Sequence, residues 1–124
     1  LQRARADAVG RVQHQVLTQL MQVSSAHVYL TYPFVLSWSM LEAMSIGCLV
    51  IGSRTAPVQE VIEHGRNGLL TDFFDPDALA HTIADALQRR DALAPLRLQA
   101  RADTIDRFDL HTRCLPRQLK FLLA

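Results

Sequence analysis

The sequence has no long uninterrupted apolar run. No stretch of about eighteen apolar residues occurs in its 124 residues, so none of it is expected to span a membrane. The opening residues, Leu1 to Arg5, lead into polar sequence, and no signal peptide is recognised. The first residue is Leu and not Met, which suggests a cut or incomplete chain, although processing or numbering would also explain it.

Cysteine is scarce, and neither sign of charge is in clear excess. Cys48 and Cys114 match no metal or redox spacing; buried thiols in a reducing compartment are expected, with a disulfide as the open alternative. The net charge of +1 argues against a dedicated nucleic-acid binder. The five histidines show no metal-like pairing, so no metal site is expected. His27, in a predicted strand, is expected to be a structural histidine with its hydrogen bonds satisfied.

What the sequence does contain is an alternation of helical and strand patterns. Its length suits one domain, and its 49% apolar content allows a packed core. Strands that alternate with helices predict an α/β fold with a parallel, Rossmann-like sheet flanked by helices. A sheet this thin predicts further strands before residue 1. The predicted strands are 26–30, 48–51 and 69–71, and the predicted helices are 11–22, 37–44, 56–62, 75–87, 91–108 and 110–123.

Several helix ends and turns carry local signals. Ser37 or Ser39 is expected to cap one helix and Gly47 to close it. Asp75 is the expected cap of a later helix, with a proline at its first position. Pro95 is expected to break the 91–108 helix. In the C-terminal helix, which takes up about 109–124, four residues are expected to pack inward: Cys114, Leu115, Leu119 and Leu122.

The segment from Thr31 to Glu42 follows a predicted strand and opens a helix. Ligands of open α/β sheets bind at such a place, and the unpaired N–H groups of the first helical turn suit a phosphate. Ser37 and Ser39 add hydroxyl donors, and Glu42 could accept hydrogen bonds from a ribose. From the pattern alone, however, a solvated glutamate is the favoured interpretation of Glu42, and a packing role that of Trp38. Two further residues that follow a strand end and could line the cleft are Arg54 and Thr55.

Three ordered motifs resemble those of one enzyme family. They are TYPFVLSWSMLEAMSIGCLVIGS at 31–53, PVQEVI at 57–62 and GRNGLL at 65–70, followed by the helix start at Asp75. Together they resemble the retaining, group 1 (GT4-like) glycosyltransferases, with a strong match from Val28 to Leu87. The resemblance implies that 1–124 is part of a nucleotide-sugar-binding domain, the C-terminal half of a GT-B architecture that is truncated on its N-terminal side.

The resemblance also implies roles for individual residues. Glu42 takes the position of the family glutamate that binds the ribose of a nucleoside-diphosphate sugar, and no cofactor is implied. The family's other glutamate, which contacts the donor sugar, is replaced by Phe34, so no catalytic residue is assigned. Backbone groups of Val35 or Leu36 would then substitute, or the sugar is recognised differently. The implied donor site comprises Leu36, Ser37, Trp38, Ser39 and Glu42, with Thr31, Val35, Arg54 and Thr55 as candidates for the cleft.

The family's diphosphate-binding arginine and lysine, and its acceptor-binding N-terminal domain, would lie upstream of this chain. Nothing in the sequence favours a diphosphate-binding role over simple solvent exposure for Arg3, Arg5 and Arg11. The chain alone is therefore expected to be inactive, although the family is enzymatic. The expected location is the cytoplasm, or the periphery of the inner membrane face. The C-terminal arginines could be weakly attracted to anionic lipid, but the interspersed aspartates favour a solvated helical face.

Three alternatives remain open. A non-catalytic remnant that binds a nucleotide or regulates is favoured by Phe34 and the short chain; an upstream Rossmann-like half in the gene would argue against it. A purely structural interaction domain, paired through its sheet edge, predicts no affinity for any nucleotide. An epimerase of the same two-domain architecture is a weaker alternative, because the motif spacing fits glycosyltransferases better.

Overall fold

The computed structural model describes residues 10–32 and 35–124, so Arg3, Arg5 and Phe34 lie outside the described part. Within it, helices and strands alternate as the sequence predicts. The elements are α1 (His14–Val23), β1 (His27–Tyr29), α2 (Trp38–Ile46), β2 (Val50–Ser53), α3 (Ala56–Gln59), β3 (Leu69–Thr71), α4 (Pro76–Gln88), α5 (Ala94–Phe108), a π-helical turn (Leu110–Cys114) and α6 (Leu115–Leu123).

The three strands form one parallel sheet in the order β1-β2-β3. His27 is paired with Val50 across the first pair of strands, and Ile51 is paired with Leu69 across the second. All four residues of the central strand are buried, the polar Ser53 included, which explains why its sequence does not alternate between apolar and polar residues. The predicted α/β class with a parallel sheet flanked by helices is confirmed.

The sheet has an apolar core on each face. On one face, Val50 and Leu70 pack with Met21 of α1, with α2 and with Ala100 of α5. On the other face, Ile51 and Leu69 pack with residues of α4 and the start of α5. Helices therefore cover both faces, and the carboxyl ends of all three parallel strands point to one edge.

The end of α2 explains why β2 begins two residues later than predicted. Gly47 adopts φ 83°, and its N–H donates to the carbonyl of Met44. The N–H of Cys48 donates to the carbonyl of Ala43 at 2.9 Å, which completes a Schellman motif. Cys48 therefore belongs to the helix ending, and the strand runs from Val50 to Ser53 and not over 48–51.

Two other helix boundaries differ from the expectations. Helix α3 ends at Gln59, because the residues that follow form a turn. Pro95 does not break a helix: α5 begins at Ala94, and the proline occupies its first turn, where a missing N–H costs nothing. The capping of α4 is as predicted, since the Asp75 carboxylate accepts from the N–H of Ala78 at 2.9 Å.

The prediction that the last helix packs inward is wrong. Cys114 is half-buried, but no residue of α6 is buried. The fractions of residue surface left exposed are 39% for Leu115, 46% for Leu119 and 74% for Leu122. The apolar stripe is present in the sequence, but no other part of the described chain covers it.

The turn between α3 and β3 is tied to α5 by a polar network. Gly65 has φ 79°, which fits its predicted role as a turn former. The amide of Asn67, whose side chain is buried, donates to the carboxylate of Asp103 at 2.8 Å. Arg66 and Gln99 donate to the same carboxylate, at 2.6 and 2.8 Å. Asp103 thus fixes the position of the turn that precedes β3.

Candidate functional site

Helix α2 begins at the carboxyl edge of the sheet, next to the end of β1. Ser37 is its N-cap, and the Ser37 hydroxyl accepts from the N–H of Ser39 at 3.3 Å. The N–H of Ser37 donates to the phenol oxygen of Tyr29 in β1 at 2.8 Å. The strand thus fixes the start of the helix. Trp38 leaves 83% of its surface exposed, so the expectation of a packing role is wrong.

Glu42 lies on the side of α2 that opens to a cavity. The cavity has a volume of about 390 Å³. It is lined by Leu36, Trp38, Leu41, Glu42 and Ser45 from the start and side of α2, and by Thr104 and Phe108 of α5. Residues 38, 41, 42 and 45 share one helical face, so the periodicity of α2 places the glutamate among apolar neighbours. The predicted site residues Leu36, Trp38 and Glu42 therefore line one cavity.

The carboxylate of Glu42 contacts a residue that the sequence analysis missed. His14 Nε2 lies 2.9 Å from Glu42 Oε1 and joins the first residue of α1 to α2. The side chain of Glu42 is 33% exposed, and that of His14 is 71% exposed. Local sequence patterns do not predict a contact between His14 and Glu42, because the two residues lie far apart in the chain. Only the packing of α1 on α2 brings them together.

A second group of polar residues joins the ends of β1 and β2. The hydroxyl of the buried Ser53 donates to the carbonyl of Thr31 at 2.7 Å and accepts from its N–H at 3.0 Å. The Thr55 hydroxyl donates to the same carbonyl at 3.0 Å. Thr31 and Thr55, both predicted to line the cleft, thus lie together at the carboxyl edge, where their hydrogen bonds hold the loop after β1.

The remaining candidates lie elsewhere or point to solvent. Arg54 lines a second cavity of about 390 Å³, formed with the turn between α3 and β3, and its guanidinium lies 3.4 Å from the carbonyl of Leu70. Val35 leaves 78% of its surface exposed and does not line the cavity beside Glu42. Phe34 lies outside the described residues.

His27, His64 and the two cysteines lie outside the cavity beside Glu42. His27 is not fully satisfied, because its buried Nε2 has no hydrogen-bond partner in the described part of the chain; this corrects the expectation. Burial lowers the pKa of His27. His64 Nδ1 accepts from the N–H of Leu70 at 2.9 Å, a role that the sequence did not reveal. Cys48 and Cys114 are both free thiols, and burial raises the pKa of Cys48 despite the nearby Arg97.

Over 10–32 and 35–124, no group of three or more His, Cys, Asp or Glu side chains is arranged to hold a metal ion. Among the helices of these same ranges, none combines the length and the apolar character needed to cross a membrane.

Solved structures similar to this chain include those of HepE from Anabaena. The structure of HepE in complex with UDP matches with a TM-score of 0.72 and 28% sequence identity, over 85% of this chain and 29% of HepE. The complex with UDP-glucose matches with the same TM-score and 27% identity. A third complex, with UDP and glucose, matches equally well over 28% of that chain. The present chain thus spans less than a third of the length of HepE.

Comparison with curated proteins gave no significant match. The family model of the glycosyl transferases group 1, in contrast, matches residues 2–89. That range contains α1 to α4, the whole sheet and the α2 side of the cavity beside Glu42. The chain belongs to the group 1 glycosyltransferases.

Proposed function

We propose that this chain is the donor-binding part of a group 1 glycosyltransferase and binds a nucleoside-diphosphate sugar at the carboxyl edge of its sheet. The observation that carries this proposal is the cavity that brings Glu42 together with Leu36 and Trp38 at the start of α2. The similarity to HepE, whose structures contain UDP and UDP-glucose, supports a uridine nucleotide as the first donor to test.

In this proposal, Glu42 accepts hydrogen bonds from the ribose hydroxyls. A carboxylate is an acceptor with two oxygens, which suits a pair of neighbouring hydroxyl donors. One oxygen of Glu42 already lies 2.9 Å from His14 Nε2, so the carboxylate has a defined orientation. Its apolar neighbours Leu41 and Phe108 line the same cavity and can contact the apolar faces of the ribose and base.

The diphosphate lies at the start of α2. The first N–H groups of a helix lack intrahelical partners and carry partial positive charge, which favours an anion. In α2, the N–H of Ser39 is capped by Ser37, while the hydroxyls of both serines lie within 3.3 Å of each other and can turn toward a phosphate. No metal or cofactor is part of this proposal, because donors of the helix and cations supplied upstream would stabilise the diphosphate.

The reaction proposed for the whole enzyme is transfer of the donor sugar, with retention of anomeric configuration, to a hydroxyl of a growing polysaccharide, a lipid-linked glycan or a small acceptor. Stabilisation of the departing diphosphate would supply much of the rate. Phe34 cannot accept hydrogen bonds from sugar hydroxyls, so the sugar contact has to come from other groups. The proposed location is the cytoplasm, at or near the inner membrane face.

A thermal-shift titration of the chain with UDP, GDP, ADP and their sugar conjugates tests the proposal. A ligand that binds only the folded state at about 100 times its Kd adds about 2.7 kcal/mol of stability, which is a shift of several degrees. We expect one nucleotide to raise the Tm, Glu42→Ala to abolish the shift, and the matched control Glu60→Ala to retain it. Cooperative melting with no shift for any nucleotide would contradict the proposal and favour a remnant that has lost the site.

A further inference from the structure

Trp38 is the only tryptophan of the chain, and it is exposed at the start of α2. It is the first residue of the helix, directly after the N-cap Ser37, and it leaves 83% of its surface in contact with solvent. A single exposed apolar side chain is common on protein surfaces, so its neighbours have to show whether it binds a ligand.

Trp38 and Glu42 share one face of α2. They are four residues apart, which is about one turn or roughly 6 Å along the helix axis. Side chains on a helix lean toward its N-terminus, so the Glu42 side chain is directed over the turn that Trp38 begins. Both residues line the cavity of about 390 Å³. A group that is bonded to whatever Glu42 holds therefore comes within reach of the indole.

Other aromatic rings at the carboxyl edge have ring partners, unlike Trp38. Tyr32 follows β1, and its ring centroid lies 5.3 Å from that of Phe73 and 5.0 Å from that of Phe74, both of which follow β3. Among the residues that the structure describes, no aromatic ring or guanidinium group stacks on Trp38. The described part of the chain thus leaves the face of the indole open to a ligand.

The ligand proposed for this cavity contains one flat aromatic group, the nucleobase. In the proposed function, Glu42 holds the ribose and the start of α2 holds the diphosphate, which leaves the base to be placed. The face of an aromatic ring carries partial negative charge, so the indole disfavours a diphosphate and favours a neutral ring. Every nucleobase has a π-face, and the loss of one aromatic stack weakens binding by about five- to a hundredfold.

We propose that the indole of Trp38 stacks on the nucleobase of the donor, next to the ribose that Glu42 holds. This inference rests on the proposed function, which places a nucleoside diphosphate in the same cavity. Because stacking is tolerant of the base, Trp38 contributes affinity and does not choose between uracil, guanine and adenine. Hydrogen bonds to the edge of the base have to make that choice.

Tryptophan fluorescence of the full 124-residue chain reports on this one residue. We expect UDP to quench the emission, with the same Kd that isothermal titration calorimetry gives. Trp38→Ala should raise the Kd for UDP about fivefold, and Trp38→Phe should retain most of the affinity. Because Trp38 is exposed, both variants are expected to melt like the parent chain. The matched control is Phe121→Ala, which removes an equally exposed ring from α6 and should leave the Kd unchanged.

A second probe, dihydro-UDP, separates stacking from other contacts. Reduction of the ring double bond keeps the carbonyl and N–H groups of uracil but removes its aromaticity. We expect the parent chain to bind dihydro-UDP about as weakly as Trp38→Ala binds UDP. Trp38→Ala should bind the two nucleotides equally well, because a double-mutant cycle shows coupling only between groups in contact.

The possible outcomes distinguish this inference from the proposed function. Unchanged emission at saturating UDP, or an equal Kd in Trp38→Ala and the parent, would overturn the stacking. Binding of UDP that still depends on Glu42 would then leave the donor site standing. If Trp38→Ala weakens UDP and dihydro-UDP by the same factor, Trp38 contacts the ribose or the diphosphate and the stacking is wrong. If UDP binding depends on Trp38 but not on Glu42, the stacking stands and the ribose assignment fails. Absence of UDP binding to the parent chain would overturn both.

Discussion

The contact between His14 and Glu42 ties the start of α1 to the residue proposed to bind the ribose. Because His14 is largely exposed, its substitution removes the contact without opening the core. We expect His14→Ala to raise the Kd for UDP by up to about fivefold, since a contact of a carboxylate with a largely exposed side chain contributes about 1 kcal/mol or less. His14→Gln, which keeps an N–H donor, should recover part of the affinity. Isothermal titration calorimetry measures both variants.

The control for that experiment is His81→Ala, which removes an exposed histidine of α4 whose ring nitrogen contacts only the Asp77 carbonyl among the described residues. An unchanged Kd for UDP in His14→Ala would mean that binding of the ribose does not depend on His14 orienting the Glu42 carboxylate. If His14→Gln loses as much affinity for UDP as His14→Ala does, the affinity depends on the shape of the imidazole and not on its hydrogen bond.

His27 gives the chain a pH-dependent stability. Burial lowers the pKa of His27 below its usual value of about 6.5, so the unfolded chain takes up a proton at a pH where the folded chain does not. The free energy of unfolding should therefore decrease as the pH falls below about 6.5 and level off near the folded pKa. Urea midpoints at pH 7.5 and 5.5 measure this. In His27→Leu the decrease should be smaller; an identical decrease would place its origin in other groups.

At the level of the elements, the network around Asp103 fixes the turn before β3. Burial alone would raise the pKa of Asp103, but hydrogen bonds from Gln99, Asn67 and Arg66 lower it overall. Asp103→Ala leaves the buried amide of Asn67 with one acceptor fewer, which is expected to cost about 1 to 3 kcal/mol. Chemical denaturation compares it with Asp106→Ala on the same helix. Asp106 is 70% exposed and paired with Arg113, so its loss should cost about 0.5 kcal/mol or less.

If Asp103→Ala is no more destabilising than Asp106→Ala, water satisfies the groups that Asp103 contacts, and the turn keeps its position without the carboxylate.

The contribution of Asp103 to the free energy of unfolding also depends on pH. Because its folded pKa is lowered from 3.8, the stability that it contributes is present above that value. It should be lost as the pH falls through the folded pKa, and in Asp103→Ala this acid-sensitive part should be missing.

Local signals predicted the element ends that depend on neighbouring residues. Ser37 caps α2, Gly47 closes it, and Asp75 caps α4, because each acts within four residues of its own position. The start of β2 was predicted two residues too early because the N–H of Cys48 is bonded to the end of α2 in the Schellman motif and not to a strand. The apolar stripe of α6 was assigned to the core because periodicity shows that a face is apolar but not which surface covers it.

At the scale of the whole molecule, the sequence predicted the sheet and its family but not the contacts that close the site. The motif that contains Glu42 is continuous in the chain, so its place at the carboxyl edge could be inferred. His14 meets Glu42 across 28 residues, and Tyr32 meets Phe73 and Phe74 across about forty. Such contacts come from the order of the strands and the packing of helices, which no local pattern encodes.

The site at the carboxyl edge is open on the side that faces solvent, and this bears on catalysis. Trp38, which lines the cavity of the proposed donor, leaves about four-fifths of its surface exposed. Electrostatic stabilisation of a departing diphosphate is strong only where water is excluded and donors are fixed in place. We therefore expect the 124-residue chain to bind a donor but to release no UDP from UDP-glucose faster than buffer does, measured by a coupled UDP assay. Glu42→Ala is the control, because UDP release that depends on Glu42 would show that this chain alone assembles a working site.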